Sequence, residues 1–312
     1  MMTKKAFLPL LLTGVLLTGC TDIRNRRSPD LLAVDAGSRT KFTAHISQDG
    51  ELISASADSP LLMPDALQTA SGAEISTGHL SLLAVSGNPC SFLRDYLERQ
   101  WLAPTCPVLF LPRSACAALS GGSLPAPEQI SAAVRSGQVP CRTADAVLGD
   151  LLGGSGITAL YCPDAGTLTL ALADESGVCG MLSADACRGL ALLGKRWDSF
   201  SFAQTAGICT VTHIRAGISA EQSEAGLMFT LCADLTCRTD APAEAEAILR
   251  QMLGAALSET VQDAGADLLF LREAAVRSGI PDAGTAAPEA WRRQLRDAVC
   301  CTDLHLKIAA SR

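Results

Sequence analysis

The chain has 312 residues, of which 48% are hydrophobic and 18% are charged, and its net charge at pH 7 is −7. This composition is sufficient for packed cores in two or three domains and excludes a largely disordered chain. The negative charge argues against nucleic acid as a partner, because contacts with phosphates need clustered lysine and arginine side chains.

The first residues predict an exported lipoprotein. Two lysines precede a short apolar run over residues 6–17, which has the length of a signal-peptide core and is too short to cross a bilayer. The run ends in a lipobox, the motif at which a peptidase cleaves before a lipid-modified cysteine: Leu17-Thr18-Gly19-Cys20. We therefore predict a signal peptide over residues 1–19, lipidation of Cys20 and membrane attachment through two acyl chains. The alternative is an ordinary secretory signal with a chance cysteine.

Cleavage of this segment leaves a more acidic protein that we expect to be attached only by its lipid. Lys4 and Lys5 are the only charged residues removed, so the net charge changes from −7 to −9. No later apolar run approaches the 18 residues typical of a membrane-spanning helix. Residues 20–30 are polar and predict a tether, in which three arginines could lie against anionic headgroups: Arg24, Arg26 and Arg27.

Twelve cysteines follow Cys20, and an even number in an exported chain is compatible with disulfide bonds. Their spacing selects no pairing, and several lie within apolar runs, as Cys209 and Cys232 do. A buried thiol packs as a small hydrophobic group. We therefore favour packed thiols, and the sequence leaves the pairing open.

Residues 31–120 predict an N-terminal α/β domain. Its strands are indicated by alternating or continuous apolar residues over 31–34, 40–48, 51–57, 78–85 and 108–111. Apolar residues at helical spacing indicate helices over 64–70 and 89–101. A glycine- and proline-rich stretch over residues 121–127 marks a boundary.

Residues 121–203 predict a middle domain and residues 204–312 a C-terminal α/β domain. The middle domain has a helix over 144–152 and strands over 158–161, 167–173, 178–182 and 197–202, while residues 184–193 fit either type. The last domain has strands over 207–215, 227–238 and 299–308, a long amphipathic helix over 242–265, and shorter helices over 267–278 and 288–295. These elements predict an α+β fold with three mixed α/β domains and mixed or antiparallel sheets.

The apolar stripe of the long helix could pack in a core or dock a partner helix or a membrane surface. Core packing is the better interpretation, because acids such as Glu246 and Glu259 lie among its polar positions. Anionic lipids would repel these side chains.

No motif for catalysis, metal binding or cofactor binding stands out. Metal sites need converging ligands, whereas the four histidines are isolated: His45, His79, His213 and His305. Ser219 lacks the following glycine of a nucleophile elbow, since Glu221 stands there. The glycine-rich residues 149–156 lack the lysine of a phosphate loop and indicate a flexible turn. We interpret Cys232 and Cys237 as strand packing and the adjacent acids Asp174 and Glu175 as solvated residues of a turn.

Short motifs spread along the chain resemble one family. They are Cys20-Thr21-Asp22, Thr77-Gly78-His79-Leu80, Gly180-Met181-Leu182, Arg188-Gly189-Leu190, Gly265-Ala266-Asp267, Trp291 and Lys307-Ile308. In this order they resemble the Ger(x)C family, the lipoprotein C subunit of GerA-type germinant receptors of endospore-forming bacteria. Two positions depart from the family pattern. The Trp-Asp that typically follows its cysteine is Thr21-Asp22 here, and residues 37–39 lack the usual aspartate.

The resemblance implies three mixed α/β domains on the outer face of the inner spore membrane, held there by the lipid on Cys20. It implies a membrane-embedded A subunit and a B subunit as partners, and no catalytic residue, cofactor or metal. Two other functions remain as alternatives, a lipid-anchored envelope hydrolase and a solute-binding lipoprotein. A hydrolase would need a nucleophile with a positioned base or a metal cluster, and a solute-binding protein would show two similar lobes.

Overall fold

The structure is a computed structural model that describes residues 26–88, 90–135, 142–163, 169–194, 199–224 and 226–309. The predicted signal peptide and Cys20 lie outside these ranges. Two arginines of the predicted tether lie inside them and pair with acidic side chains. Arg26 Nη2 lies 2.5 Å from Glu74 Oε1, and Arg27 forms an ion pair with Glu51. This part of the tether is therefore paired with the folded part of the chain, and contact of its arginines with headgroups stays a prediction.

The larger sheet has nine strands, in the order β11-β10-β9-β7-β6-β2-β3-β4 with β8 beside β7. Their bounds are β2 (Leu31–Ala36), β3 (Thr40–Ile46), β4 (Glu51–Ala57), β6 (Leu82–Gly87), β7 (Pro107–Phe110), β8 (Arg142–Thr143), β9 (Thr158–Tyr161), β10 (Leu170–Asp174) and β11 (Gly177–Met181). The central strands β2, β6, β7 and β9 run parallel, and the outer pairs are antiparallel. A separate parallel pair joins β1 (Arg26–Arg27) to β5 (Glu74–Ile75).

The burial of these strands follows their sequence patterns. Residues 82–86 of β6 are all buried, as a continuous apolar run in a parallel sheet covered on both faces should be. The edge strand β4 is half exposed and alternates. The predicted strand over 78–85 is wrong at its start, because Gly78 and His79 form a turn and β6 begins at Leu82.

This sheet continues across the predicted boundary at residues 121–127, since β8 to β11 pair into the sheet that β2 to β7 begin. The division into domains at residues 120 and 203 stays a prediction. The helices of this part are α1 (Met63–Ser71), α2 (Cys90–Glu98), α3 (Ala115–Ser120), α4 (Pro127–Arg135), α5 (Ala144–Gly153) and α6 (Ala184–Leu193). Neither α3 nor α4 was predicted, since both are short and flank the glycine- and proline-rich stretch.

The ambiguous segment 184–193 is the helix α6. Ser183 caps it, with its Oγ accepting the N–H of Ala186 at 3.1 Å, and this capping favours helix over strand. The helix packs closely on the long C-terminal helix through Gly189. A Cβ at this position would lie 2.2 Å from the carbonyl oxygen of Met252, so only glycine fits.

The smaller sheet has four strands in the order β12-β13-β14-β15, antiparallel except for the parallel pair β14 and β15. Its elements are β12 (Ser199–Gln204), β13 (Gly207–Ser223), β14 (Gly226–Arg238), α7 (Pro242–Leu257) with a π-helical end (Ser258–Asp263), α8 (Leu271–Arg277), α9 (Pro288–Asp297) and β15 (Val299–Ala309). Together the three sheets and their helices confirm the predicted α+β class. Within the described ranges, no helix combines the length and the apolar character needed to cross a membrane.

The strand β13 and the helix α8 differ clearly from their predicted bounds. The strand β13 extends to Ser223 rather than ending at residue 215, and a bulge at His213, with φ 50°, shifts its register between Thr212 and Arg215. The helix predicted from residue 267 begins at Leu271, for the reason given below for Asp267.

The long helix packs in the core, as predicted. One face of α7 is buried against α6 and the four-stranded sheet, and its fully buried residues include Leu249, Met252, Leu253 and Ala256. The polar side of α7 forms hydrogen bonds with a neighbouring loop. Glu244 accepts from the backbone N–H and the hydroxyl of Thr205, at 2.9 and 2.8 Å.

Replacing Leu253 with alanine should lower the free energy of unfolding by about 2–5 kcal/mol, because it removes buried contacts and leaves a cavity. The control is Arg250→Ala on the exposed face of α7, where only a surface ion pair with Glu246 is lost and the cost should be about 0.5 kcal/mol or less. Urea denaturation followed by circular dichroism measures both. Equal, small costs would contradict core packing of this face.

Candidate functional site

The carboxylate of Asp267 joins two parts of the molecule. Its Oδ1 accepts the backbone N–H of Leu271 at 2.6 Å, and its Oδ2 accepts the N–H of Arg272 and the indole Nε1–H of Trp291, each at 2.9 Å. The first two contacts satisfy backbone donors at the start of α8, which is why that helix begins at Leu271. The third ties α8 to α9, where Trp291 is fully buried.

The environment of Asp267 makes these contacts difficult to replace. Only 6% of the residue is exposed, and this burial raises its pKa above the ordinary value, although the N–H donors of Arg272, Trp291 and Leu271 act to lower it. Loss of the side chain would leave three donors without their acceptor in a buried place. Each buried donor without an acceptor lowers the free energy of unfolding.

The glycine-rich stretch before β9 forms the other side of this junction. Ser155 Oγ accepts the backbone N–H of Asp267 at 2.9 Å. A Cβ at Gly154 would lie 2.9 Å from the Cβ of Asp267, so the loop approaches as closely as it does only with glycine there. The interpretation of residues 149–156 as a flexible turn is therefore wrong. Residues up to Gly153 belong to α5, and the rest is fixed by hydrogen bonds.

Arg292 adds a second connection across the same junction. Its Nε donates to the carbonyl oxygen of Ser155, its Nη2 to that of Gly156 at 3.1 Å, and its Nη1 to Asp174 Oδ2 at 3.1 Å. Burial acts to raise the pKa of Asp174, but hydrogen bonds from Ser176 and Arg292 outweigh it and lower the pKa. Asp174 is thus a structural ion-pair partner rather than the predicted solvated residue.

The glycine of the Gly265-Ala266-Asp267 motif has its own steric role. Gly265 has φ 68°, in the left-handed region that favours glycine. A Cβ there would also lie 2.8 Å from the carbonyl oxygen of Arg292. The motif and Trp291, which are 24 residues apart, therefore meet in one place.

A cleft of about 700 Å³ opens beside this junction, between α5 and α8. Its lining includes a buried ion pair, in which Arg142 Nη2 donates to Asp150 Oδ2, and Thr158 Oγ1 donates to the same oxygen at 2.9 Å. Large apolar side chains of the lining are strongly exposed: Leu152 at 60%, Phe270 at 58% and Val276 at 48%. A concave surface of this size with an apolar rim is suited to binding a ligand or a protein segment.

The histidines do not join this site. His45 Nδ1 lies 2.8 Å from Asp30 Oδ1, and His305 lies between Asp234 and Asp303, at 3.1 and 3.4 Å. His79 and His213 are exposed. Among the described residues, no three His, Cys, Asp or Glu side chains are grouped as a metal site requires. The expectation that the protein holds no metal stays a prediction.

The cysteines of the described ranges form no disulfide bond with one another, and most of them are buried: Cys90, Cys106, Cys116, Cys162, Cys187, Cys209 and Cys237. Burial raises the pKa of Cys90 and of Cys187 to about 12, so both thiols are protonated and unreactive at neutral pH. The interpretation of Cys232 and Cys237 as strand packing is confirmed, since both lie in β14 and Cys237 is fully buried.

A second helix-capping carboxylate, Asp35, was missed from the sequence. Its Oδ1 accepts the N–H groups of Ala115 and Cys116, at 2.6 and 3.1 Å, and the hydroxyl of Ser86 at 2.7 Å. Its Oδ2 accepts the hydroxyl of Ser114 at 2.5 Å. Burial acts to raise the pKa of Asp35, but these hydrogen bonds outweigh it and lower the pKa. Only a hydrophobic strand precedes Asp35 in the sequence, and its partners lie about 50 and 80 residues further along.

Replacing Trp291 with phenylalanine should lower the free energy of unfolding by about 1–3 kcal/mol, because the indole donor to Asp267 is lost. Part of any cost comes from the smaller ring, which also contacts Phe229. A double-mutant cycle with Asp267→Ala, which removes the acceptor, isolates the bond and should give a coupling energy of about 1 kcal/mol or more. The control cycle uses Trp101→Phe, whose ring packs on Tyr96, and should give no coupling. Purely additive costs at Trp291 would contradict the bond.

The lowered pKa of Asp35 predicts a dependence of stability on pH. Its ordinary pKa is 3.8, so the stabilisation from its ionised form is complete well above pH 4 and is lost as the pH falls through the lower folded-state pKa. Asp35→Asn should therefore cost about 1–3 kcal/mol at pH 7, and this cost should shrink toward pH 2–3. Exposed Asp49→Asn is the control and should show little cost at either pH. Chemical denaturation across this pH range measures both, and a cost that is independent of pH would count against the charged cap.

Comparison with solved structures finds a chain of similar fold. No protein-family model matches the sequence, and no curated protein matches it. The fold is similar to a solved structure described as the crystal structure of the GerBC protein, with a TM-score of 0.55 and 13% identity. The similarity covers 89% of this chain and 96% of that one, so it extends over almost all of both molecules. At this identity the similarity establishes a shared fold, and the predicted resemblance to the Ger(x)C family is confirmed at the level of the fold.

Proposed function

We propose that this protein is a Ger(x)C-type lipoprotein, the C subunit of a nutrient germinant receptor, and that it acts in receptor assembly or signal coupling during spore germination. One observation carries the proposal, namely the similarity in fold to the GerBC protein over almost the whole length of both chains. The motifs that resemble the family add independent support. Two of them, Gly265-Ala266-Asp267 and Trp291, are joined by a hydrogen bond at the junction described above.

A non-catalytic role is consistent with the chemistry of the described residues. His45 and His305 face carboxylates, and burial raises the pKa of the Cys90 and Cys187 thiols to about 12, so both are protonated at neutral pH. Asp267, Arg292 and Asp35 bind backbone groups and neighbouring side chains, which is the work of a scaffold. We propose that the subunit functions through its surfaces, beside a membrane-embedded A subunit and a B subunit.

We also propose that a diacylated Cys20 holds the protein to the outer face of the inner spore membrane. Five residues lie between Cys20 and Arg26, where the first strand begins. An extended chain of this length spans about 20 Å at most, so the folded part would lie close to the bilayer. A short tether of this kind suits a subunit that contacts membrane-embedded partners.

The two alternatives have less support. A solute-binding lipoprotein would have two similar lobes, whereas here a nine-stranded and a four-stranded sheet differ in size and topology. A hydrolase would need an activated nucleophile near a base, and the carboxylates of Asp267, Asp35 and Asp174 are occupied as helix caps or ion-pair partners.

Purification from the detergent-solubilised inner membrane of dormant spores tests the proposal. The tagged protein should retain the receptor A and B subunits in near-stoichiometric amounts, as measured by mass spectrometry. Cys20→Ala is the matched variant. It should fold, because Cys20 precedes the folded part, but it should lose both the lipid label and the membrane fraction. Recovery of the wild-type protein without A or B subunits would contradict the receptor role, and lipid labelling that persists in Cys20→Ala would contradict the anchor.

A further inference from the structure

The rim of the cleft between α5 and α8 groups large apolar side chains on an open surface. Leu152, Phe270 and Val276 are each about half exposed or more, and all three line the same cleft. Exposed apolar residues scattered singly need no explanation, but a group around a concavity is typical of a protein contact. The group lies over a rigid floor, formed by the Arg142–Asp150 ion pair and the contacts of Asp267.

Phe270 is held outward in an unfavourable backbone conformation. Its φ and ψ are 60° and 37°, in the left-handed region that a bulky residue rarely adopts. Asp267 fixes this conformation, since it binds the N–H groups of the next two residues, Leu271 and Arg272. With 58% of the residue exposed, the ring gains little from packing within the chain. A strained, exposed aromatic residue on a rigid support indicates a contact with something outside the chain.

The charges around the cleft indicate which charge a bound partner should have. Arg142 is engaged with Asp150, and Arg272 donates to the carbonyl oxygens of Ala283, Gly284 and Ala286. The carboxylates of Asp145 and Glu273 also line the cleft. Glu273 pairs with Arg277 only at the exposed surface, where such a pair contributes little. The cleft therefore combines an apolar rim with accessible negative charge.

We propose that this cleft is the docking site for a segment of the receptor's membrane-bound partner subunits that presents an apolar side chain beside a lysine or arginine. The proposal rests on the proposed function and names the surface through which it operates. The apolar side chain contacts Phe270 and its neighbours, and the basic group lies near Glu273 and Asp145. A bare anionic lipid surface is the less suitable occupant, because these carboxylates would repel it.

The test is Phe270→Gly in the lipidated protein, purified with co-expressed A and B subunits. Glycine adopts the left-handed conformation freely, so the variant should fold with an unchanged or higher melting temperature. Retention of the partner subunits should nevertheless fall by about tenfold or more, as expected when an aromatic anchor is removed. The matched control is Ile208→Ala on β13, where an even more exposed apolar residue, at 70%, is removed away from the cleft. Its retention should not change.

Charge reversal tests the other half of the proposal. Glu273→Arg should lower retention of the partner subunits, whereas Glu221→Arg, an exposed acid on β13 outside the cleft, should leave it unchanged. Binding to phosphatidylglycerol vesicles and the mass in solution are measured for the same variants.

The outcomes are distinct. If the wild-type protein retains A and B and Phe270→Gly retains them equally well, the docking site is overturned while the proposed function stands. If the wild-type protein retains neither subunit, the proposed function fails and this inference fails with it. If Phe270→Gly instead changes only vesicle binding or self-association, the surface serves a membrane or a second copy and the proposal is overturned.

Discussion

The carboxylate of Asp267 is the contact on which the arrangement of the C-terminal half depends. The carboxylate accepts backbone N–H groups at the start of α8 and the indole N–H of Trp291 in α9. The backbone N–H of Asp267 donates to Ser155, which precedes β9. A single buried group therefore connects the nine-stranded sheet to the helices that pack on the four-stranded sheet. Because the carboxylate is buried and every partner donates a hydrogen bond to it, loss of any one partner leaves the charge less compensated in the interior.

The sequence predicts helices and strands well where the pattern of apolar residues is clear. The apolar stripe of α7 and the continuous run of β6 both reappear as buried faces, because solvent exclusion alone determines them. The prediction fails where a capping side chain sets the bounds of a helix, as Asp267 does for α8. Short helices such as α3 give no periodic signal and depend on a distant side chain, Asp35, for their first donors.

The motifs of the candidate site were predictable from the sequence, but their contacts in space were not. The sequence motifs include Gly265, Asp267 and Trp291. Their contact also depends on Gly154 and Ser155, which lie more than 100 residues earlier in a stretch that the sequence predicts as a flexible turn. The cleft could not be predicted from the sequence, because Leu152 and Phe270 are large apolar residues of the kind expected in a core. Only the structure shows that both are exposed. A rigid junction beneath an exposed aromatic rim is the arrangement expected of a subunit that works through contacts with its partners.

The central claim is that Asp267 holds this junction closed, and amide hydrogen exchange measures it most directly. The N–H groups of Leu271 and Arg272 and the indole N–H of Trp291 should exchange only through global unfolding, with the same free energy of opening as the core of α7. Exchange of these three protons at the rate of an exposed loop, while α7 stays protected, would contradict the claim.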